Sequence, residues 1–455
     1  RTHRARFTSP RITNLTTKQW GLIDFYKDHD DFIVIEANKN LGGSLLRRPK
    51  YITDGVEQHL GNRNVYKRLT KQQAWGIHRG LVRKIELWVA KWKRCECPTT
   101  QRITRELAPG ESKFILRSLR KYPDKLARFR MTLKVHKKPV KTRPIVCCAG
   151  TFMNNLSCWL DYWLQKLKPF VPSYLKDSDE LIEMLEALGP LPPNARLFTA
   201  DAKSMYTNID TDHALEVIEA WLRSLELPPE LSDFPMNALI EVMELVMRNN
   251  IFEWGDLFFQ QLCGTAMGTS SAVMWATIYY CVHESNRLLP AHLNWLILYK
   301  RFIDDMFGVF IGNDAQWEQF KRDANYFGIL EWEFEERSQS VDFLDLTISI
   351  DGTRTTTRTF QKPMNLYQYL PPTSAHPPWM MRGIIYSLMK KYKRQNTLTK
   401  DYHAMAVKLL RRHVARGWSK ATMSRFILDA DAKLNAPPPA RPRQDEPSSN
   451  KERLF

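Results

Sequence analysis

The stretch Leu298-Tyr299-Lys300-Arg301-Phe302-Ile303-Asp304-Asp305-Met306-Phe307-Gly308-Val309-Phe310 constrains this chain more than any other. Two apolar runs rich in β-branched and aromatic residues flank an Asp-Asp pair. Each run therefore reads as a strand, and the acids as the tip of a tight hairpin. Paired carboxylates at a hairpin tip suit divalent cations. Taken alone, the pair also reads as a solvated turn, and the chain has another Asp-Asp at Asp30-Asp31. A further acid changes the weighting: Arg196-Leu197-Phe198-Thr199-Ala200-Asp201 reads as a buried strand that ends in a carboxylate.

At 455 residues the chain exceeds one ordinary core, and length alone suggests about three domains or subdomains. A hydrophobic content of 43% is that of a globular protein. With 67 Lys+Arg against 49 Asp+Glu the net charge is +18, which argues for a polyanionic partner. Nucleic acid ranks ahead of an anionic membrane, because no basic helix has an uncluttered apolar face and no apolar run is long enough to cross a bilayer. The 14 Trp and 22 Phe are mostly core, with some available to stack on bases. The 7 Cys include no Cys-x-x-Cys, so a reducing compartment is expected rather than a disulfide framework. The first residue is Arg1, not Met, and the chain is expected to be a piece of a longer reading frame.

Along the chain, Phe32–Ile35 reads as a short strand and the pattern turns helical from Thr70 to Trp92, with Leu81, Ile85, Trp88 and Trp92 on one face. Strands are expected over Arg130–Val135 and Arg143–Val146, joined by a basic loop. Helices are expected near 154–168, 179–188, 212–224 and 235–248, with a strand or hairpin over Phe252–Gln261. Ser270 and Ser271 are N-cap candidates for an apolar helix reaching about Asn286. The alternation from Asp342 to Ile350 predicts one strand, residues 380–434 read as mainly helical, and the proline-rich tail from Pro437 is expected to be disordered.

Four clusters bear on chemistry. Asp201, Asp304 and Asp305 supply hard oxygen ligands that select magnesium, and two such ions close together suit in-line phosphoryl transfer. Lys134 and Arg143, with Lys137 between them, could neutralise a triphosphate, Arg as a bidentate fork and Lys as a point charge. In Gly264-Thr265-Ala266-Met267-Gly268 the glycines let backbone approach a ligand closely, although alone this reads as an ordinary glycine loop before a core helix. Tyr206 reads either as a core tyrosine or as a ring that would clash with a ribose 2′-hydroxyl.

The order of these motifs resembles the palm of reverse transcriptases, and most closely that of Penelope-like element reverse transcriptases, relatives of telomerase. The matching stretches are Lys134-Val135-His136-Lys137 with Arg143-Pro144-Ile145-Val146, Asp201 through Tyr206-Thr207-Asn208-Ile209, Gln261 with Gly264 to Gly268, Arg301 to Asp305, and Phe343-Leu344-Asp345. Asn38-Lys39-Asn40-Leu41-Gly42 is similar to the family's N-terminal signature. Gln361-Lys362-Pro363 and Ser374-Ala375-His376-Pro377 are similar to its thumb-side segment.

The resemblance implies an α+β right-hand polymerase with fingers, a palm of antiparallel sheet plus helices, and a helical thumb. Its parts would be an N-terminal extension over 1–115, fingers over 116–195, palm over 196–350, thumb over 351–435 and a tail over 436–455. It implies RNA-directed DNA synthesis by a nuclear retroelement protein, with RNA template, DNA primer and dNTPs as partners and no membrane. Asp201, Asp304 and Asp305 would hold two Mg²⁺ ions, for which Mn²⁺ could substitute. Tyr206 would be the sugar gate, and Lys134, Lys137 and Arg143 would hold the triphosphate. Gln261, Gly264, Ala266, Met267 and Gly268 would contact the nucleotide or template. Phe343, Leu344 and Asp345 would lie near the primer end. Arg337 and Lys321 are the candidates for protonating pyrophosphate. Two other readings stand beside it: a catalytically inactive polymerase fold that binds nucleic acid, and an RNA-directed RNA polymerase, against which Tyr206 argues.

Overall fold

The computed structural model describes residues 16–37, 41–93, 107–135, 138–377 and 379–436. These fall into two compact units, one over Leu15–Tyr367 and one built on the residues from Gln368 onward. No helix among the described residues is long and apolar enough to cross a membrane.

The centre of the first unit is a four-stranded antiparallel sheet in the order β11 (Trp332–Phe334), β6 (Arg196–Ala202), β10 (Asp305–Phe310), β9 (Leu296–Phe302). Its central strands are apolar at nearly every position because both faces are covered. Side chains alternate along a strand, and here they alternate between two cores. Phe198, Ala200, Met306 and Phe310 enter the larger core, and Leu197, Phe307 and Val309 enter a separate one. Gly308 pairs with Phe198, and a Cβ on it would lie 2.4 Å from the Phe198 ring. The glycine is thus what lets that ring cross β10.

Helices pack on the larger core. The most apolar is Ala272–His283, buried along nearly its whole length. Asp314–Ala324 adds Trp317 and Phe320, which stack on each other and contact Phe198. The long helix Lys71–Trp92 starts at a reciprocal capping box between Thr70 and Gln73. Its Trp88 packs edge-on to Trp159 at 5.4 Å, so the face that carries Leu81, Ile85 and Trp88 is core.

A five-stranded mixed sheet runs β3 (Tyr66–Leu69), β8 (Leu257–Gln261), β7 (Asn250–Trp254), β4 (Ala127–Lys134), β5 (Lys141–Cys147), with only β4 and β7 parallel. A small hairpin, β1 (Phe32–Glu36) with β2 (Gly43–Arg47), precedes it in the chain. The expected single strand over Asp342–Ile350 is instead two strands of a meander: β12 (Ser340–Phe343), β13 (Leu346–Asp351), β14 (Arg354–Thr359). The chain reverses at Leu344, whose φ is 54°, a left-handed value that a leucine gives no hint of in sequence.

The second unit packs three helices, Met380–Gln395, Thr399–Ala415 and Lys420–Asn435, around Ile385, Met389, Leu409 and Met423. The predicted tail from Pro437 lies outside the described residues.

Candidate active site

The Asp-Asp hairpin forms as its sequence predicts. Phe302 pairs with Asp305, leaving Ile303 and Asp304 as the turn. Ile303 has φ 59°, a genuine outlier for a β-branched residue that costs about 1–3 kcal/mol. The turn is held from both sides. Arg301 Nη1 donates to the Ile303 carbonyl at 2.9 Å, and Ala202 N donates to the Asp304 carbonyl at 2.8 Å. Across the sheet Asp305 stands directly opposite Asp201. Asp201, distant in the chain, therefore meets the adjacent Asp304 and Asp305 at one end of the central sheet.

Their electrostatics follow from that crowding. Burial, and less strongly the Asp201 charge, raises the pKa of the Asp304 carboxyl, while its own backbone N–H, Arg143 and Arg301 oppose the rise. Asp305 is raised strongly, first by burial, then by a side-chain hydrogen bond with Asp201 and by the Asp304 charge, with Lys362 opposing. Carboxyls this close resist ionising together unless positive charge compensates. As donors they are all hard oxygens, the type Mg²⁺ takes. Among the described residues, no group of three or more His, Cys, Asp or Glu side chains is gathered in a metal-holding arrangement as it stands. Burial and the crowding of Asp305 by Asp201 and Asp304 favour its protonated form, which the positive charge of a bound cation would oppose.

After Asp201 the chain turns through Ser204, φ 49°, into a short 3₁₀ turn over Met205–Thr207, which swings Tyr206 back toward the acids. Its hydroxyl is pushed up to about 12 by burial and then by Asp304, with Arg143 opposing. Tyr206 therefore keeps its proton at neutral pH. The acids open on a cleft of about 3150 Å³, solvent included, whose lining also holds Lys134, Arg143, Tyr206 and Met267.

Other predicted residues sit elsewhere. Lys137 lies outside the described residues, as do His136 and residues 38–40 of the N-terminal signature. Gln261, Gly264, Ala266 and Gly268 do not line the cleft. Gln261 is buried and donates to the carbonyls of Cys263 at 2.9 Å and Tyr206 at 3.4 Å. A Cβ on Gly264 would lie 2.1 Å from the Tyr206 carbonyl oxygen, and one on Gly268 would lie 2.1 Å from that of Val146. The close approach these glycines permit is to protein backbone, with Thr265 N donating to Tyr206 O at 2.8 Å and Val146 N to Met267 O at 3.0 Å. Ser271 is the residue before the apolar helix, yet its side chain meets Ser157 rather than capping.

Phe343, Leu344 and Asp345 also stand outside the cleft lining. The Phe343 ring lies 5.3 Å from that of Phe307, and Asp345 accepts a hydrogen bond from Ser178. Arg337 is committed to Asp314 at 2.6 Å and to the Gly312 carbonyl, and Lys321 to Glu318 at 2.8 Å. Neither reaches the cleft.

Sequence reasoning missed the support under the hairpin. Arg301 and Glu284 form a fully buried ion pair, Nε to Oε1 at 2.7 Å and Nη2 to Oε2 at 2.8 Å. Tyr299 and Ser173 donate to the same carboxylate, and Arg301 Nη2 also donates to the Thr277 carbonyl. An acid at the end of so apolar a helix, and an arginine inside an apolar strand, were the available signals.

This arrangement, three acids at one end of an antiparallel sheet backed by helices, belongs to an α+β fold of the right-hand polymerase type. Telomerase from Candida albicans, solved in complex with a TWJ fragment of telomeric RNA, matches with a TM-score of 0.58 at 10% identity, over 90% of this chain and 68% of that one. Apo telomerase from Candida tropicalis gives 0.47 at 11% identity over 87% of this chain and 66% of that one. The RNA-dependent RNA polymerase of a human picobirnavirus gives 0.49 at 12% identity over 91% and 82%. About a third of each telomerase chain thus has no counterpart here. No protein-family model and no curated protein sequence matches the chain.

Proposed function

We propose that this chain is an RNA-directed DNA polymerase of a retroelement, of the Penelope-like kind, that extends a primer 3′-hydroxyl with dNTPs. The observation that carries the reading is the direct pairing of Asp201 with Asp305 beside Asp304, at a cleft lined by Lys134, Arg143 and Tyr206. Asp201, Asp304 and Asp305 would hold two Mg²⁺ ions, whose chemistry there is to acidify the attacking hydroxyl and neutralise the leaving pyrophosphate.

The chain's own residues do the rest. Arg143 takes phosphate oxygens as a two-pronged donor and Lys134 as a point charge. Tyr206, protonated and half-buried, presents a neutral ring that excludes a 2′-hydroxyl by bulk. The glycine loop acts indirectly: Gln261, Gly264 and Thr265 fix the Tyr206 backbone, and so the depth of that ring. An RNA template, a DNA primer and a nuclear site of action belong to the same proposal.

The test is primer extension with Mg²⁺ on RNA and DNA templates side by side. The unaltered chain should extend on RNA, and Asp304→Asn should remove extension without changing the melting temperature. Tyr206→Gly should increase ribonucleotide incorporation. A chain that binds the hybrid yet never extends it, while a control enzyme does, would be a binding protein with an inactive polymerase fold.

A further inference from the structure

Lys362 is an exposed residue on the segment that leaves β14, and it lines the same cleft as the three aspartates. Its approach is fixed from behind. Thr359 pairs with Leu346, and Phe360 N donates to the Asp345 carbonyl at 2.8 Å. Lys362 thus reaches the cleft from the three-stranded sheet, whereas Lys134 and Arg143 reach it from β4 and β5 of the five-stranded one.

In-line phosphoryl transfer sets the attacking oxygen and the leaving group on opposite sides of the phosphorus. A site with basic side chains entering from two separate sheets can serve both. On the polymerase reading, Lys134 and Arg143 take the triphosphate. The cation from the other sheet then faces the strand that carries the attacking hydroxyl. We infer that Lys362 binds the last internucleotide phosphate of the primer strand. The inference rests on the proposed function, and its test is chosen so that the two can fail separately.

The test is a binding cycle with the full chain. The probe is an RNA template annealed to a fluorescent DNA primer whose last internucleotide linkage is either a phosphate or a neutral methylphosphonate. Either that neutral linkage or Lys362→Ala should weaken binding by about fivefold, as expected for one exposed ion pair. Together they should weaken it no further than either alone, and Lys362→Arg should keep most of the affinity. Losses that simply multiply, or a Lys362→Ala variant that binds normally, would overturn the inference. In extension assays Lys362→Ala should raise the KM for primer–template and leave that for dNTP unchanged. A rise confined to the dNTP would assign Lys362 to the leaving phosphates instead and overturn it. Equilibrium binding needs no turnover, so a chain that fails to extend any primer would remove the polymerase reading and still leave the cycle to decide on Lys362.

Discussion

Glu284 and Arg301 show at the residue scale why a buried charge is kept. An ion pair removed from water gains little net stability, because desolvation of both groups offsets their attraction. Its value here is positional: the guanidinium that Glu284 holds also bonds the carbonyl of Ile303, the strained residue next to Asp304. Glu284→Ala would strand the guanidinium and remove the acceptor shared by Tyr299 and Ser173. We expect a loss of about 3–5 kcal/mol in chemical denaturation. The paired exchange Glu284→Leu with Arg301→Met should recover only the part owed to the stranded charge, since apolar replacements of buried ion pairs are often neutral but the Tyr299 and Ser173 hydroxyls still lack their acceptor. Primer extension should stay depressed through kcat rather than KM, because the Ile303 carbonyl still lacks its donor. Full recovery of kcat along with stability would show that the pair only holds the fold together.

At the scale of elements, glycines divide by what surrounds them, and the division predicts opposite signs. Gly80 lies in the helix Lys71–Trp92, where an added Cβ meets nothing within 4 Å. Gly80→Ala should raise stability by about 0.5–1 kcal/mol through helix propensity and the unfolded chain's entropy. Gly264 has φ 74° and its Cβ would strike the Tyr206 carbonyl. Gly264→Ala should lower the melting temperature and disturb ribonucleotide discrimination with it, through the displaced Tyr206 loop. Thermal melts of both variants, with incorporation assays on the second, check the pair. The same loop marks the boundary of what sequence made legible. Strands β6, β9 and β10 and their acids were readable, because continuous apolar runs, β-branching and a hairpin tip are local properties. The partner of Gly264 was not, since Tyr206 comes close only through the fold. Nor was the reversal at Leu344, where no glycine or asparagine announces a positive φ. The Arg301–Glu284 pair joins a helix to a strand by packing alone, with no motif to carry it.

At the scale of the whole molecule, the proposed function would give the +18 charge two separable jobs. A few basic residues, Arg143 among them, stand at the acids. Others lie on helices of the second unit, where Lys390, Lys408 and Arg411 are exposed. Contacts to a nucleic-acid backbone release counterions, so affinity should fall linearly on a log–log plot against salt, with a slope near −0.9 for each phosphate neutralised on a duplex. If the helices of the second unit follow the backbone, Lys390→Ala with Lys408→Ala should flatten that slope by about two. The KM for dNTP at saturating primer–template should stay unchanged. Arg143→Ala should do the reverse, raising the dNTP KM while the slope of hybrid binding barely moves. Titrations of one RNA–DNA hybrid over a range of salt, beside steady-state kinetics on the same variants, separate the two. An unchanged slope in the double lysine variant would confine backbone binding to the unit over Leu15–Tyr367 and leave the helical unit's charge as a solvated face.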